Sequence, residues 1–247
     1  MSKVNILGVE IDSLDEEEIS EKLASLLHNG RPHLITTPNP EIILAAGHDP
    51  EFKKILNNSD LALPDGFGLM LASCYLKKRL KRRMAGIDLM LKICRLAAEK
   101  NHSVFLLGGQ GRVPEKTAEK LLAKFPNLKI AGFENGFRSW GWRLPEGKLR
   151  EKIKRAKPDI IFVAFGAPRQ EKWLYNNLPK LTSVKIGMGV GGAFDYISGQ
   201  VRRAPAIMRQ LGLEWLFRLW RQPWRWPRII NATFRFSLEI LKIKKNK

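Results

Sequence analysis

Asp65 is the most unusual polar residue in the first third of the sequence, because it stands between a proline and a glycine. It follows the apolar run LALP (61–64) and is the third residue of LPDGFGL (63–69). Thr37 and Asn39 occupy a similar place in TTPNPE, where the run HLITT (33–37) ends. Pro64 fixes the approach of the chain and Gly66 allows any backbone angle, which holds the carboxylate at a sharp strand exit. A functional site and an ordinary cap of the following helix are both consistent with this pattern.

A glycine-rich turn suited to phosphate follows the apolar run SVFLL, in the segment GGQGRVPEKTAEKL. Gly108 and Gly109 let backbone N–H groups approach an anion, and the helix that begins near Pro114 adds partial positive charge. The segment matches neither GxGxxG nor GxxxxGK[ST], so a plain tight turn remains an equal alternative.

The segment GAPRQEKW stands in the same relation to the apolar run DIIFVAF. Gln170 has both a donor and an acceptor, so it could hydrogen-bond the edge of a uracil or a ribose. The alternative is that Arg169 and Glu171 are solvated charges at a helix start and that Trp173 belongs to the core.

Two further segments offer candidates. In GVGGAFDYISG, Gly189 and Gly191 permit close backbone approach and Asp195 follows, although packing glycines and a helix-capping aspartate would give the same pattern. The run KKRLKRR at 77–83 is typical of a solvated face, from which Arg83 alone is expected to turn inward because it leads into MAGID.

The elements that carry these residues alternate between short apolar runs and helical periodicity. We predict strands at 4–11, 33–37, 61–64, 103–109, 128–133, 159–166 and 184–191. We predict helices near 15–28, 40–47, 67–76, 86–99, 114–125, 146–156 and 168–177. This alternation indicates an α/β fold with a Rossmann-like, mostly parallel sheet covered by helices on both faces. Ligands of such sheets bind outside the carboxyl ends of the strands, where the candidate residues lie.

The charge of the chain favours anionic partners. The 247 residues carry a net charge of +19, and the sequence pI is near 10.2. Nucleic acid, an acidic membrane surface and a phosphorylated substrate are all compatible with this charge. Cys74 and Cys94 have no metal-ligand spacing, and no stretch approaches the roughly 20 apolar residues of a membrane-spanning helix. We therefore expect a chain that is neither exported nor integral to a membrane.

Composition changes near residue 201, which predicts a core over 1–200 and a basic, Trp-rich helical appendage over 201–247. The appendage has eight Arg and four Lys against two Glu, and it holds Trp215, Trp220, Trp224 and Trp226. Trp215 and Leu216 are expected to face the core.

Seven segments, taken in order, resemble the WecG/TagA/CpsF family of bacterial glycosyltransferases. They are TPNPE, LPDGFG, RRMAGIDLM, FLLGG, GAPRQEKW, GVGGAFDYISGQVRRAP and LGLEWLFRLWRQPWRW. The resemblance implies transfer of a sugar, N-acetylmannosamine being favoured, from a UDP-sugar to undecaprenyl-diphosphate N-acetylglucosamine for wall teichoic acid or another surface polysaccharide. Transfer of N-acetylmannosaminuronic acid or another UDP-hexose for capsule or exopolysaccharide remains the alternative. The implied reaction is inverting and metal-independent and uses no cofactor, and the sequence contains no Asp-x-Asp.

The resemblance also implies residue roles. Asp65 matches the proposed general base of the family, Thr37 and Asn39 match its sugar-contacting pair, and Gln170 matches the glutamine beside the nucleotide. Arg83 matches an arginine of an RVxG-like segment in which Met84 replaces valine. The predicted substrate site is completed by Gly108, Gly109, Gly189, Gly191 and Asp195.

A lipid-linked acceptor implies a peripheral enzyme on the cytoplasmic face of the plasma membrane. Arginines interleaved with tryptophans in the appendage suit anionic headgroups and the acceptor diphosphate. They are Arg202, Arg203, Arg209, Arg218, Arg221, Arg225 and Arg228. Nucleic acid is not expected as a partner because the chain lacks a reader motif, and a nicotinamide-dependent dehydrogenase is disfavoured because GxGxxG is missing. Self-association through the appendage stays open.

Overall fold

The structure is a computed structural model that describes residues 2–135, 145–221, 223 and 226–245. The strands are β1 (Lys3–Ile6), β2 (Val9–Asp12), β3 (His33–Thr36), β4 (Leu61–Ala62), β5 (Ser103–Gly108), β6 (Lys129–Glu134), β7 (Ile160–Ala164) and β8 (Ile186–Gly189). The helices of the first part are α1 (Glu16–His28), α2 (Pro40–His48), α3 (Pro50–Asn57), α4 (Phe67–Tyr75), α5 (Gly86–Glu99), α6 (Val113–Lys124), α7 (Glu146–Ala156), α8 (Arg169–Asn177) and α9 (Ala193–Ile197). They are followed by α10 (Ala206–Gln210), α11 (Glu214–Arg221), α12 (Trp226–Ile230) and α13 (Phe236–Lys245), with a π-helical turn at Asn231–Arg235 between the last two.

The predicted α/β fold is confirmed by a six-stranded sheet in the order β4-β3-β8-β7-β5-β6, in which every pairing is parallel. Its inner strands are apolar almost throughout because both faces are covered. Along β5, Val104 and Leu106 pack into one hydrophobic cluster, whereas Phe105 and Leu107 pack into a cluster on the opposite face. This period-two division of side chains is what a strand buried on both faces requires.

The predicted first strand at 4–11 is wrong, because these residues form the antiparallel hairpin β1-β2 outside the main sheet. Leu7 and Gly8 turn the chain with φ values of 53° and 83°. Positive φ at both central residues is the geometry of tight hairpin turns, and Gly8 adopts it without a Cβ penalty. The hairpin is joined to the sheet by Asp12, whose Oδ2 accepts a hydrogen bond of 2.8 Å from the N–H of Ala62 in the edge strand β4.

Helix α3 was not predicted, although its start signals are present in HDPEF. Asp49 is the N-cap and its Oδ1 accepts a 3.0 Å hydrogen bond from the N–H of Phe52, while Pro50 occupies the first helical turn. An aspartate followed by proline and glutamate is a recognised helix N-terminus.

The strand order explains where a ligand site can form. Strand β3 has β4, the next strand along the chain, on one side and β8, the last strand, on the other, so the strand order reverses at β3. A crevice opens outside the carboxyl ends of strands at such a point.

The last helix packs onto the rest of the molecule. Phe236 and Ile240 of α13 are buried in one cluster with residues of the β1-β2 hairpin, α2 and α4. None of the helices in the described part of the chain has the length and apolar character needed to cross a bilayer.

The packing of α13 predicts a large difference between two neighbouring phenylalanines. Phe236 is 3% exposed and Phe234 is 63% exposed. Because Phe236→Ala leaves a cavity in the cluster, it is expected to lower the free energy of unfolding by about 3–5 kcal/mol. Phe234→Ala is the control and should change it by about 0.5 kcal/mol or less. Urea denaturation measures both, and equal effects would contradict the packing of α13.

Candidate active site

A cavity of 1210 Å³ lies at the carboxyl edge of the sheet. The five loops predicted to converge all contribute to its wall, since it is lined by residues that follow β3, β4, β5, β7 and β8. Of the predicted site residues, it brings together Thr37, Asn39, Asp65, Arg83, Gly109, Gln170, Gly189, Gly191 and Asp195. Residues of α4, α11 and the C-terminal helices complete the wall.

Asp65 is fixed by hydrogen bonds on both sides of the strand exit. Its N–H donates to the carbonyl of Pro38 over 2.8 Å, and the carbonyl of Pro64 accepts from the N–H of Met84 over 2.9 Å. Its Oδ2 accepts from the N–H of Gly86, the first residue of α5, over 3.3 Å. The positive end of a helix dipole stabilises a carboxylate placed there. The side chain is therefore held at the cavity by α5.

The alternative in which Asp65 caps the following helix is wrong. Gly66, with φ of 99°, occupies the N-cap position of α4, and Asp65 precedes it. Gly86 was missed by the sequence analysis, although it is essential to this corner of the site. A Cβ on Gly86 would lie 3.0 Å from Thr37 Oγ1, which would have to shift by a few tenths of an ångström, and 3.8 Å from Asp65 Oδ2, which is an ordinary contact.

Asn39 has a structural task in addition to lining the cavity. It is the N-cap of α2, and its Oδ1 accepts a 2.9 Å hydrogen bond from the N–H of Ile42. The capping hydrogen bond uses the side-chain oxygen, and the side-chain NH₂ group is the part of Asn39 that would donate to a ligand.

The amide of Gln170 joins two loops of the cavity wall. Its Oε1 accepts hydrogen bonds of 3.0 Å from the N–H of Gly166, after β7, and of 3.0 Å from the N–H of Gly191, after β8. The amide lies against Gly189, where an added Cβ would be 2.7 Å from Nε2. The side-chain carbonyl is thus fully used within the protein, which leaves the amide nitrogen for any contact with a nucleotide.

Glu171 was expected, in one alternative, to be a solvated charge, and this is wrong because the side chain is buried. Its Oε1 accepts a 2.8 Å hydrogen bond from Gln170 Nε2, and its Oε2 has no hydrogen-bond partner among the described residues. Burial raises the pKa of the Glu171 carboxyl to about 7, although the hydrogen bond from Gln170 acts in the opposite direction. The expectation that Trp173 belongs to the core is confirmed.

The glycine turn after β5 is divided between packing and the cavity. Gly108 is buried in β5 and does not line the cavity; a Cβ there would meet the backbone carbonyl oxygen of Ala164 at 2.7 Å. Gly109 and Gln110 do line it.

Asp195 also lines the cavity, but Gly192 is the N-cap of α9, so the capping alternative for Asp195 is wrong.

Arg203 was predicted to contact anionic headgroups or the acceptor diphosphate, and the structure places it, half-buried, in an ion pair with Asp88. Its guanidinium forms a bidentate pair with Asp88 of α5, with distances of 2.6 and 2.7 Å, and its Nε lies 3.7 Å from Glu214. Burial would raise the pKa of the Asp88 carboxyl, but the hydrogen bond and charge of Arg203 outweigh it and lower that pKa. This pair ties residues before α10 to the helix that holds Asp65.

Arg83 turns inward, as predicted, and lines the cavity. Its Nη2 donates a 2.9 Å hydrogen bond to the backbone carbonyl of Arg209 in α10. The guanidinium therefore connects the cavity wall to the C-terminal helices.

The other predicted arginines and tryptophans of the appendage differ in how exposed they are to solvent. Arg202 and Arg221 are exposed, Arg209 is half-buried, and the Arg221 guanidinium lies 5.8 Å from the ring centre of Trp220. Arg225 and Trp224, and the side chains of Arg218 and Arg228, lie outside the described residues. The expectation that Trp215 and Leu216 face the core is wrong, because both are exposed.

A metal site does not emerge from the described residues, where no three His, Cys, Asp or Glu side chains are grouped closely enough to hold an ion. Metal independence stays a prediction from the resemblance.

The burial of Glu171 predicts a pH dependence of stability. Between its ordinary pKa of 4.5 and its folded pKa of about 7, the folded protein binds more protons at this group than the unfolded chain. The contribution of Glu171 to stability therefore falls as pH rises through this range. Glu171→Gln removes the titration, so its stability relative to the wild type should rise over the same range by a few kcal/mol in total.

Chemical denaturation at several pH values between 4.5 and 8 tests this expectation, with the exposed Glu21→Gln as the matched control. A stability difference between Glu171→Gln and the wild type that does not change with pH would contradict the assignment.

Known proteins are similar to this chain over nearly its whole length. Residues 4–247 match the model of the "Glycosyl transferase WecG/TagA/CpsF family". Three similar proteins share the name N-acetylglucosaminyldiphosphoundecaprenol N-acetyl-beta-D-mannosaminyltransferase. That of Bacillus subtilis (strain 168) is 37% identical over 240 residues, covering 96% of this chain and 87% of the relative. That of Bacillus spizizenii (strain ATCC 23059 / NRRL B-14472 / W23) is 33% identical over 236 residues, covering 94% and 89%. That of Staphylococcus aureus (strain MRSA252) is 32% identical over 251 residues, covering 100% and 96%.

The chain belongs to the WecG/TagA/CpsF family of glycosyltransferases and is a hexosyltransferase.

Proposed function

We propose that this enzyme transfers N-acetylmannosamine from a UDP-sugar to undecaprenyl-diphosphate N-acetylglucosamine, with inversion and without a metal ion. The names of three relatives support the acceptor and the sugar. The observation that carries the proposal is the Asp65 carboxylate, held by the N-terminus of α5 beside Thr37 in a cavity lined by five loops of the sheet.

Asp65 is the general base in this proposal. It accepts the proton from the acceptor hydroxyl as that oxygen attacks the anomeric carbon and the bond to UDP breaks. A carboxylate in a fixed position contributes roughly 10²–10⁴-fold to such a step. The relatives are named for a β-linked product. Formation of a β product from an α-linked nucleotide sugar is an inversion, which needs a single displacement and one base.

The UDP leaving group is stabilised by preorganised donors instead of a metal. Gly109 and Gln110 lie between β5 and the N-terminus of α6, where backbone N–H groups and the helix dipole favour a phosphate. Arg83 and the free amide N–H of Gln170 supply further donors on the cavity wall. Donors fixed before the reaction stabilise developing charge at no cost in reorganisation.

The role of Asp65 predicts a separation of binding and turnover. Asp65→Asn should leave the affinity for the UDP-sugar nearly unchanged and lower turnover by at least about 10²-fold, because the amide cannot accept the proton. The control is Glu21→Gln, which changes an exposed carboxylate of α1 outside the cavity and should retain the turnover. Steady-state kinetics and donor binding by calorimetry provide the measurements. Unchanged turnover in Asp65→Asn would remove Asp65 from this role.

We further propose that the C-terminal helices bind the cytoplasmic face of the membrane that contains the acceptor. Large apolar side chains are exposed on α10, α11, α12 and α13, among them Ile207, Trp220 and Trp226. Arg221 lies beside Trp220, and the segment 201–247 is strongly basic. Exposed aromatic side chains with arginines are typical of interfacial helices on anionic lipid.

This surface predicts a specific effect on vesicle binding. Because Trp220 is 75% exposed, Trp220→Ala should preserve the fold and weaken binding to vesicles that contain anionic lipid by about tenfold. The control is Leu122→Ala, at an exposed apolar position on α6. Sedimentation with vesicles measures both, and equal binding by the two variants would contradict the assignment.

A further inference from the structure

The cavity continues from the reacting groups into an apolar groove between two helical walls. We call it the α4–α13 groove and define it by Leu71 and Ala72 on α4 and by Phe236, Ile240 and Leu241 on α13, together with Ala45 of α2. Asp65 and these residues line the same cavity. The groove is therefore open to the site of transfer.

One wall follows the helical repeat of α4. Gly68, Leu71, Ala72 and Tyr75 line the cavity, and their spacing places them on one face of the helix. Helix α4 begins at Phe67, two residues after Asp65. The nine helical residues from Phe67 to Tyr75 extend about 12 Å away from the carboxylate.

The opposite wall shows the same regularity over residues 226–245. The lining residues recur every three or four positions, as expected for one helical face. They are Ile229, Ala232, Thr233, Phe236, Ser237, Ile240 and Leu241. Among the side chains that the structure describes, those that these helices and α4 contribute to the lining are uncharged, whereas the rest of the lining contains Glu41, Asp65, Arg83, Arg169, Asp195 and Glu214.

We propose that the α4–α13 groove holds the first prenyl units of the acceptor lipid. This inference rests on the proposed function. The acceptor joins its sugar, a diphosphate and an apolar chain in that order, and the cavity joins the carboxylate of Asp65 to an uncharged apolar groove that begins beside it. Because the groove is continuous with the catalytic cavity, a chain attached to a bound acceptor is its natural occupant. The outer ends of both walls are exposed at Leu71 and Leu241, where the chain leaves toward the bilayer.

The groove predicts that the enzyme recognises the chain itself and not only the membrane. The test uses N-acetylglucosamine diphosphate acceptors with prenyl chains of increasing length, in solution without vesicles and below the concentration at which they aggregate. For the wild type, KM for the acceptor should fall as the chain lengthens, because more apolar surface is buried in the groove. A KM that is independent of chain length, with product formed, overturns this inference alone.

Two leucines on α13 provide a matched pair of variants. Leu241 lines the groove and is 49% exposed, whereas Leu238 lies outside the cavity and is 42% exposed. With the longest soluble chain, Leu241→Gln should raise KM for the acceptor by about five- to tenfold, and Leu238→Gln should raise it by less than about twofold. Leu71→Gln tests the other wall, with Leu122→Gln on α6 as its control.

Each further outcome has a defined meaning. If Leu241→Gln and Leu238→Gln raise KM for the acceptor equally, the prenyl chain contacts a general apolar surface, and the proposed role of the groove is overturned. A rise in KM that grows with chain length in Leu241→Gln supports it. If the wild type makes no product from any acceptor in the series, the proposed function fails, and the inference fails with it. Circular dichroism and thermal melts confirm that the exposed substitutions leave the fold intact.

Discussion

A carboxylate held by the N–H of Gly86 at the start of α5 is the contact on which the site depends. It fixes Asp65 only because the loop containing Pro64 is also tied to Met84, and because Gly86 has no Cβ to displace Thr37. Helix α5 is in turn bound to the C-terminal region through the pair of Asp88 and Arg203. The same helix thus orients the proposed base and anchors the segment that leads to the helices for which we propose membrane binding.

The other side of the cavity relies on a buried polar pair. The side-chain oxygen of Gln170 accepts hydrogen bonds from backbone N–H groups of the loops after β7 and β8. The side-chain nitrogen of Gln170 donates a hydrogen bond to the Glu171 carboxyl. Burying a carboxyl with one oxygen unsatisfied costs stability, since no group among the described residues replaces water at that oxygen. This cost falls at the wall of the candidate active-site cavity, where the Gln170 amide connects the two loops.

The sequence predicted most of the scaffold and the loops of the site because their signals are local. Alternating apolar runs and helical periodicity identified the parallel sheet, and PDG identified Asp65. The hairpin β1-β2 was missed because Leu7 interrupts no apolar run and its positive φ has no sequence mark apart from Gly8. Residue type alone does not indicate contacts between distant segments. Such contacts determine the burial of Glu171, the pairing of Arg203 with Asp88 and the exposure of Trp215.

We propose that one cavity brings the Asp65 carboxylate together with the donor and the lipid-linked acceptor. The most direct measurement incubates the enzyme with a panel of UDP-sugars and a short-chain lipid diphosphate N-acetylglucosamine acceptor, and identifies products by mass and by the anomeric configuration of the new bond. We expect one added N-acetylhexosamine in β linkage, formed from UDP-N-acetylmannosamine in the presence of a chelator. An α-linked product, or transfer that requires another donor or an added metal ion, would contradict it.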